Sequence, residues 1–335
     1  MKILVVGLGS MGKRRIRNLL KLGYDDIVGF DPRSDRRNES YAKYKIQTSS
    51  SIEESLTYNP KIMIISTPPD LHYTYAKIAI QNNIHFFTEV NLSSTDVKKI
   101  IQKLKKKKSL IGLPSCTTLY HPIVKELSKI IKKSSTGKIL TVYHHFGHYL
   151  PNWHPWEDYR KFYVSKKETG AAREVVPFEL IWMTHLFSEI KSVYGRVTKI
   201  SKLQTNIDDI YEILIEFKNG IHCILVIDVI SNPSFSETKI ITEKGAILCD
   251  HNLGLIKQNF GLKWDSKKLE MGEIAKGYKG NTGTETLYEN EMKTFLNSVL
   301  KNKKYPFSYF DELKILNVLD SIEKSNKLGK KIFIK

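Results

Sequence analysis

The chain has 335 residues, 41% hydrophobic and 26% charged; such values belong to a folded globular protein, and the length predicts two domains. Its net charge of +18 raises nucleic-acid binding, but only nine of the 53 basic residues are Arg, the side chain suited to bidentate phosphate and base recognition, so the dispersed lysines are read as a solvated surface. No apolar run approaches the roughly 18 residues that cross a bilayer, and the first strand starts at once with no room for a signal peptide, so a cytoplasmic protein with no membrane or nucleic-acid partner is expected.

Lys2 to Val6 is an apolar, β-branched run predicted as the first strand. It ends in Gly7-Leu8-Gly9-Ser10-Met11-Gly12. A helical pattern follows (Ile16, Leu19, Leu20), then a second apolar run, Ile27 to Phe30, closed by Asp31. Strand, glycine turn, helix, strand and acid form the context in which G-x-G-x-x-G binds a dinucleotide. Gly7 allows the tight turn, Gly9 lets backbone N–H groups approach a pyrophosphate, and Gly12 lets helix and strand pack closely. Ser10 and Met11 sit in the same loop, where the helix N-terminus attracts phosphate. Asp31 stands where a carboxylate accepts ribose hydroxyls.

Further apolar runs alternate with helical patterns, as in a parallel α/β sheet. A short helix is expected over about 38–44 and a strand over 46–48. Ser51 and Glu54 form a capping-box pattern before the next helix. The strand over 61–65 is apolar throughout, as a central parallel strand should be, and ends at Ser66-Thr67-Pro68-Pro69. A helix over 71–82 leads to a strand over 84–88, which ends at Glu89-Val90-Asn91. A lysine-rich helix and a last strand over 110–113 complete this part. Ligands in such sheets bind at the carboxyl ends of strands, so loops 7–12, 31, 66–69, 89–91 and 115–118 should line one edge.

Beyond residue 118 the pattern changes, which places domains at 1–118 and 119–335. After a helix over 123–132, strand-like runs cover 138–149, 193–205, 210–217, 221–230, 238–242, 246–249 and 254–258. Asn219-Gly220 is a hairpin signal, so the sheet is expected to be antiparallel or mixed. One helix, about 178–190, interrupts, with His185 read as a core residue. Two helices, 284–300 and 310–327, and a strand over 331–334 close the chain, and the last helix is allowed to pack back on the first domain. Cys116, Cys223 and Cys249 are far apart, and His144, His145, His148 and His154 lack partners that complete a ligand set, so no metal is expected.

The glycine loop, Ser66-Thr67-Pro68-Pro69 with His72, Glu89, the antiparallel second half and the late Tyr288-x-x-Glu291-Met292-x-x-Phe295 helix resemble the Gfo/Idh/MocA oxidoreductases. The loop Asn152 to Arg160 resembles the branch associated with surface-polysaccharide and sugar-nucleotide pathways. The resemblance implies an N-terminal Rossmann domain and a C-terminal domain whose open, mostly antiparallel sheet serves for oligomerisation as a homodimer or homotetramer. Ser66, Thr67, Pro68, His72 and Glu89 would then stand near the cofactor, with Thr67-Pro68 beside the nicotinamide ribose. Asp31 favours NAD(H), because a carboxylate repels a 2′-phosphate; Arg33, Arg36 and Arg37 are close enough to keep NADP(H) open.

Two departures matter. The family has Glu-Lys-Pro where this chain has Glu89-Val90-Asn91, and no histidine falls at the usual place on the second catalytic helix. Alcohol oxidation releases a proton as well as a hydride, so a base must be found elsewhere. Glu174, Glu179 and His121 are the candidates, with Glu89 beside them, and Arg173 is a candidate for an anionic substrate group. Arg173 and Glu174 precede Pro177, which is read as lying in the first turn of its helix. Trp153, His154, Asp158, Tyr159 and Arg160 combine aromatic faces with directed donors, which suits a carbohydrate. The expected function is an NAD(P)-dependent oxidoreductase of a sugar or sugar nucleotide. The alternative is a dinucleotide-binding sensor or assembly protein with little activity, because Val90 cannot do the work of a lysine.

Overall fold

The computed structural model describes residues 1–274 and 284–334. The chain divides into two compact units, one of residues 1–117 and 285–314, the other of 118–284 and 315–335.

In the first unit the described residues form a six-stranded parallel sheet, β1 (Ile3–Val6), β2 (Ile27–Phe30), β3 (Gln47–Ser49), β4 (Ile62–Ile65), β5 (His85–Thr88) and β6 (Gly112–Pro114), in the order β3-β2-β1-β4-β5-β6. The order reverses at β1, the switch point beside which dinucleotides bind. Every residue of β1 and β4 is buried, because helices cover both faces of such a sheet. These are α1 (Ser10–Lys21), α2 (Ser34–Tyr44), α3 (Ile52–Thr57), α4 (His72–Gln81) and α5 (Ser94–Leu104). Ser51 caps α3 by accepting from Glu54 N at 3.1 Å. Helix Glu285–Lys301 belongs to the same unit and is tied to α1 by Glu285, which accepts from Arg14 and Arg17.

In the second unit α6 (Pro122–Ile130) precedes the long strand β7 (Ile139–Tyr149) and α7 (Ala171–Leu186). The sheet continues with β8 (Ile190–Thr198), β9 (Ile210–Phe217), β10 (His222–Asp228), β11 (Ile230–Thr242), β12 (Gly245–Asp250), β13 (Leu255–Asn259), β14 (Asp265–Lys268) and β15 (Ile332–Phe333). Among the described residues it has nine strands, ordered β14-β13-β12-β11-β7-β10-β9-β8-β15. It is mixed, since β7 and β10 run parallel and the other pairs antiparallel. The β9–β10 hairpin turns at Asn219-Gly220, where Gly220 takes φ +85°. Alternation sorts the two faces: Tyr211, Ile213, Ile215 and Phe217 of β9 are buried, whereas Leu214 is 52% exposed.

Three sequence expectations are corrected here. The helix expected over 178–190 begins at Ala171, so Pro177 lies inside α7 rather than in its first turn. A proline there removes one backbone hydrogen bond, a loss the buried flank of Val175, Val176, Leu180 and Ile181 outweighs. His185 is exposed, not core, because α7 turns its Leu180–Met183 face inward and carries His185 off that face. The run expected as strand over 193–205 stops at Thr198; Asp209 draws the chain into a loop by accepting from Ile200 N, Ser201 N and the Ser201 hydroxyl.

Candidate functional site

In the first unit the glycine loop has a geometry only glycine satisfies. Gly7 takes φ +89°, and a Cβ there would stand 2.7 Å from the Ser66 carbonyl oxygen. A Cβ on Gly12 would collide with the Gly7 carbonyl, so α1 packs on β1 only with glycine. Gly9 caps α1 with backbone alone, and the first turn carries no acid. With no side-chain cap and no acid in its first turn, the N-terminus of α1 is suited to an anion. Thr67 Oγ1 is buried without a hydrogen-bond partner, an orphaned group of the kind that a ligand hydroxyl satisfies. Glycine cradle, uncapped helix end and orphaned hydroxyl fit a dinucleotide.

Asp31 is almost wholly buried and accepts from Leu8 N at 2.8 Å and Arg33 N at 2.9 Å. It thus braces the glycine loop, and each carboxylate oxygen keeps a lone pair for a ribose hydroxyl. The Arg33 side chain turns to Asp35, and Arg37 donates to the backbone oxygens of Asp31 and Pro32. Arg36 reaches Asp31 Oδ2 at 3.6 Å.

Glu89, at the end of β5, is held by Arg15 through two bonds, 2.7 and 2.8 Å. The buried Arg15 also donates to Glu291 at 2.8 Å. Burial alone would lower the Arg15 pKa, but the two carboxylates outweigh it and raise it. Ser66 Oγ donates to Glu89 at 3.3 Å. Val90 is buried, so no side chain from this position presents a proton donor.

His72, at the start of α4 next to Pro68, joins a network invisible in the sequence. Its Nε2 lies 3.0 Å from Thr67 O and its Nδ1 3.1 Å from Asn91 Oδ1. Asn91 in turn donates from N and Nδ2 to Glu312, at 2.9–3.1 Å. Burial, only partly offset by Asn91, pushes the Glu312 carboxyl up to about 8, and burial lowers the His72 pKa. Both shifts favour a neutral pair. In that state Nε2–H of His72 donates to Thr67 O, and the Asn91 amide, turned over, carries the link from Glu312 O–H to Nδ1.

In the second unit the candidates fall into separate sets. Asp158, Tyr159 and Arg160 line a surface pocket of about 420 Å³ with Tyr149, Lys202 and Gln204. Arg160 clasps Asp158 at 2.7 and 2.8 Å and donates to Gln204; the guanidinium holds the Asp158 carboxyl at about 2. Trp153 and His154 are not in that lining. The Trp153 indole N–H is buried without a partner, and His154 stacks near Trp156 and Phe162. Arg173 is taken up by Glu323 at 2.6 Å, and Glu174 accepts from Tyr163 OH at 3.1 Å.

Glu179 and His121 belong to a third set with two histidines not weighed as proton-handling groups from the sequence. Glu179 Oε2 accepts from Trp182 Nε1 at 2.5 Å and lies 2.9 Å from His144 Nε2. His144 Nδ1 is 2.8 Å from Thr238 Oγ1, which is 2.7 Å from His251 Nε2. The His121 ring is 5.3 Å from that of His251. Burial would raise the Glu179 pKa, but His144, Trp182 and His121 bring it below its ordinary value. Burial, slightly countered by Glu179, pushes His121 down to about 4. Among the described residues no group of three or more His, Cys, Asp or Glu is placed to hold a metal ion.

A dinucleotide-binding parallel sheet joined to a large mixed sheet defines a two-domain oxidoreductase architecture. Residues 1–113 match the model of the oxidoreductase family with an NAD-binding Rossmann fold, and 124–248 that of the GFO/IDH/MocA C-terminal domain. The chain belongs to the Gfo/Idh/MocA oxidoreductases and binds NAD. Comparison with curated proteins gives no match. Among solved structures, levoglucosan dehydrogenase in complex with NADH superposes with a TM-score of 0.83 at 15% identity, over 100% of this chain and 99% of that one. An oxidoreductase from Agrobacterium radiobacter in complex with NAD+, L-tartaric acid and magnesium gives 0.83 at 11% identity, over 100% and 98%. An oxidoreductase domain protein from Kribbella flavida gives 0.82 at 15%, over 99% and 98%. At these identities the likeness is one of fold.

Proposed function

We infer that the protein is an NAD-dependent dehydrogenase of a sugar hydroxyl, with a sugar nucleotide or surface-polysaccharide precursor as the substrate class. The observation that carries this reading is the buried carboxylate Glu179, surrounded by His144, Trp182, His121 and His251 in a chain whose family lysine is Val90. NAD supplies the hydride acceptor; Gly7, Gly9, Ser10, Met11, Gly12, Asp31, Ser66, Thr67 and Pro68 hold it, with Arg33 at the rim and His72 fixing Thr67 from behind. Glu179 takes the hydroxyl proton. Its lowered pKa keeps it ionised at neutral pH and ready to accept, and the low pKa of His121 keeps that ring neutral beside it.

Glu89 is assigned to positioning, since both of its oxygens are bonded by Arg15. Glu174 orients Tyr163, and Arg173 is spent on Glu323. Trp153, His154, Asp158, Tyr159 and Arg160 supply the carbohydrate surface, the orphaned Trp153 N–H being a donor that a sugar hydroxyl would satisfy. No described helix is long and apolar enough to cross a membrane, in keeping with a cytoplasmic enzyme. The open sheet face supports self-association as a dimer or tetramer: Tyr143, Ile224, Leu214 and Tyr194 form one cross-strand row, each 41–52% exposed.

Val90 also supports a second reading, a dinucleotide-binding sensor without turnover. The test is a titration with NADH, read by energy transfer from tryptophan, followed by a screen of hexoses, anhydrosugars and sugar nucleotides with NAD+. The expected result is saturable NADH binding, turnover of at least one sugar, and a loss in kcat of about 10²–10⁴ in Glu179→Gln with cofactor affinity kept. Turnover that survives Glu179→Gln overturns the assignment of the base. Cofactor binding with no turnover on any sugar favours the sensor.

A further inference from the structure

Glu179 is the near end of a chain of hydrogen-bonding groups whose far end the reaction above does not use. On β7, His144 presents Nε2 to Glu179 and Nδ1 to Thr238 of β11. Thr238 Oγ1 then meets Nε2 of His251, in the turn after β12. The rings of Trp182, on α7, and His121, at the start of α6, close around them. Four elements distant in sequence thus deliver four proton-carrying groups in a row, Glu179, His144, Thr238 and His251, with every interatomic step 2.7–2.9 Å.

We propose that His144, Thr238 and His251 form a proton wire that clears Glu179 of the substrate proton during oxidation and reloads it during reduction. The proposal rests on Glu179 being the base. The hydroxyl in the middle decides how the wire works, because it carries one hydrogen. If that hydrogen points to His251 Nε2, the hydroxyl oxygen accepts from Nδ1–H of His144, and His144 Nε2 is bare toward Glu179. If it points to His144 Nδ1, the oxygen accepts from Nε2–H of His251, and His144 carries its proton on Nε2 beside Glu179. In the second state His144 Nε2–H faces the Glu179 carboxylate at 2.9 Å; in the first, Nε2 gains a donor only when Glu179 has taken up the substrate proton.

Oxidation converts the first state into the second. Glu179 O–H, formed from the substrate hydroxyl, breaks as His144 Nε2–H forms. His144 Nδ1–H breaks as a Thr238 O–H forms, and the former Thr238 O–H breaks as His251 Nε2–H forms. The His251 imidazolium then releases its Nδ1 proton to water; the residue as a whole is 8% exposed. One proton moves from substrate to solvent and no electron travels the wire. Reduction of a carbonyl runs the same sequence backward, and a cycle that only oxidises resets by exchange through Glu179 after product has left. Burial, with His144 and His121 adding to it, holds the His251 pKa well below its ordinary value, so the ring passes a proton on rather than storing it.

The experiment uses the full chain with ¹⁵N-labelled histidine and bound NADH. In the wild type, one and only one of His144 Nδ1 and His251 Nε2 should carry a proton; Thr238→Ser should keep this rule and Thr238→Val should abolish it, with NADH affinity unchanged. Finding both nitrogens protonated, or both bare, overturns the wire. In turnover, Thr238→Val should lower kcat about tenfold or more at unchanged KM and Thr238→Ser should restore it; full kcat in Thr238→Val overturns the proposal. Failure of the base is separately visible, because Glu179→Gln would then stay active. If no sugar is turned over, the nitrogen signals decide alone.

Discussion

The replacement Glu312→Gln tests the buried His72–Asn91–Glu312 network. Glu312 is fully buried, and its carboxyl lies at about 8 instead of 4.5. A carboxyl raised in the folded state stabilises the fold below its unfolded pKa, and that contribution is lost as pH climbs through the folded pKa. Each pH unit of displacement is worth about 1.36 kcal/mol, so the ceiling is about 5 kcal/mol lost between pH 4.5 and 8. Charge separation toward His72 and local relaxation reduce this to a few kcal/mol. Glutamine keeps the acceptor for Asn91 N and the donor for its turned amide, but it cannot ionise. Urea unfolding of wild type and Glu312→Gln from pH 5 to 8 should show the wild type losing stability relative to the variant as pH rises. Subtracting the two profiles removes every other titrating group. Parallel profiles would refute the reasoning, and a wild type that gained on the variant with pH would reverse its sign.

Arg15→Met should cost about 3–5 kcal/mol in the same assay at neutral pH, since Glu89 and Glu291 would lose the charge between them; adding Glu291→Gln should recover part of it. Gly7→Ala should abolish NADH binding in the tryptophan energy-transfer titration, because φ +89° strains any side chain and the Cβ meets Ser66 O; unchanged affinity would refute the cradle.

The nucleotide half was legible in order and kind, because its signals are local. Gly7 to Gly12, the buried runs of β1 and β4, and the Ser51–Glu54 cap each depend on neighbours within one turn or strand. The Asn219-Gly220 hairpin was readable for the same reason. Tertiary structure decided the rest. Pro177 marked a helix start by its chemistry, yet packing drew the helix back to Ala171; His185 sat among apolar neighbours in sequence and faces water in space. The second unit was harder still, because its candidate chemistry is assembled across strands. His144 and Thr238 are opposite in register although 94 residues apart, and His251 arrives from a turn that carries no motif. Asn91 and Glu312 meet across 221 positions. The sequence determined where backbone turns and strands must be, since those obey sterics and period; only the tertiary structure could say which buried polar groups share a proton, because sharing is fixed by distances of less than 3 Å between residues that the chain order keeps far apart.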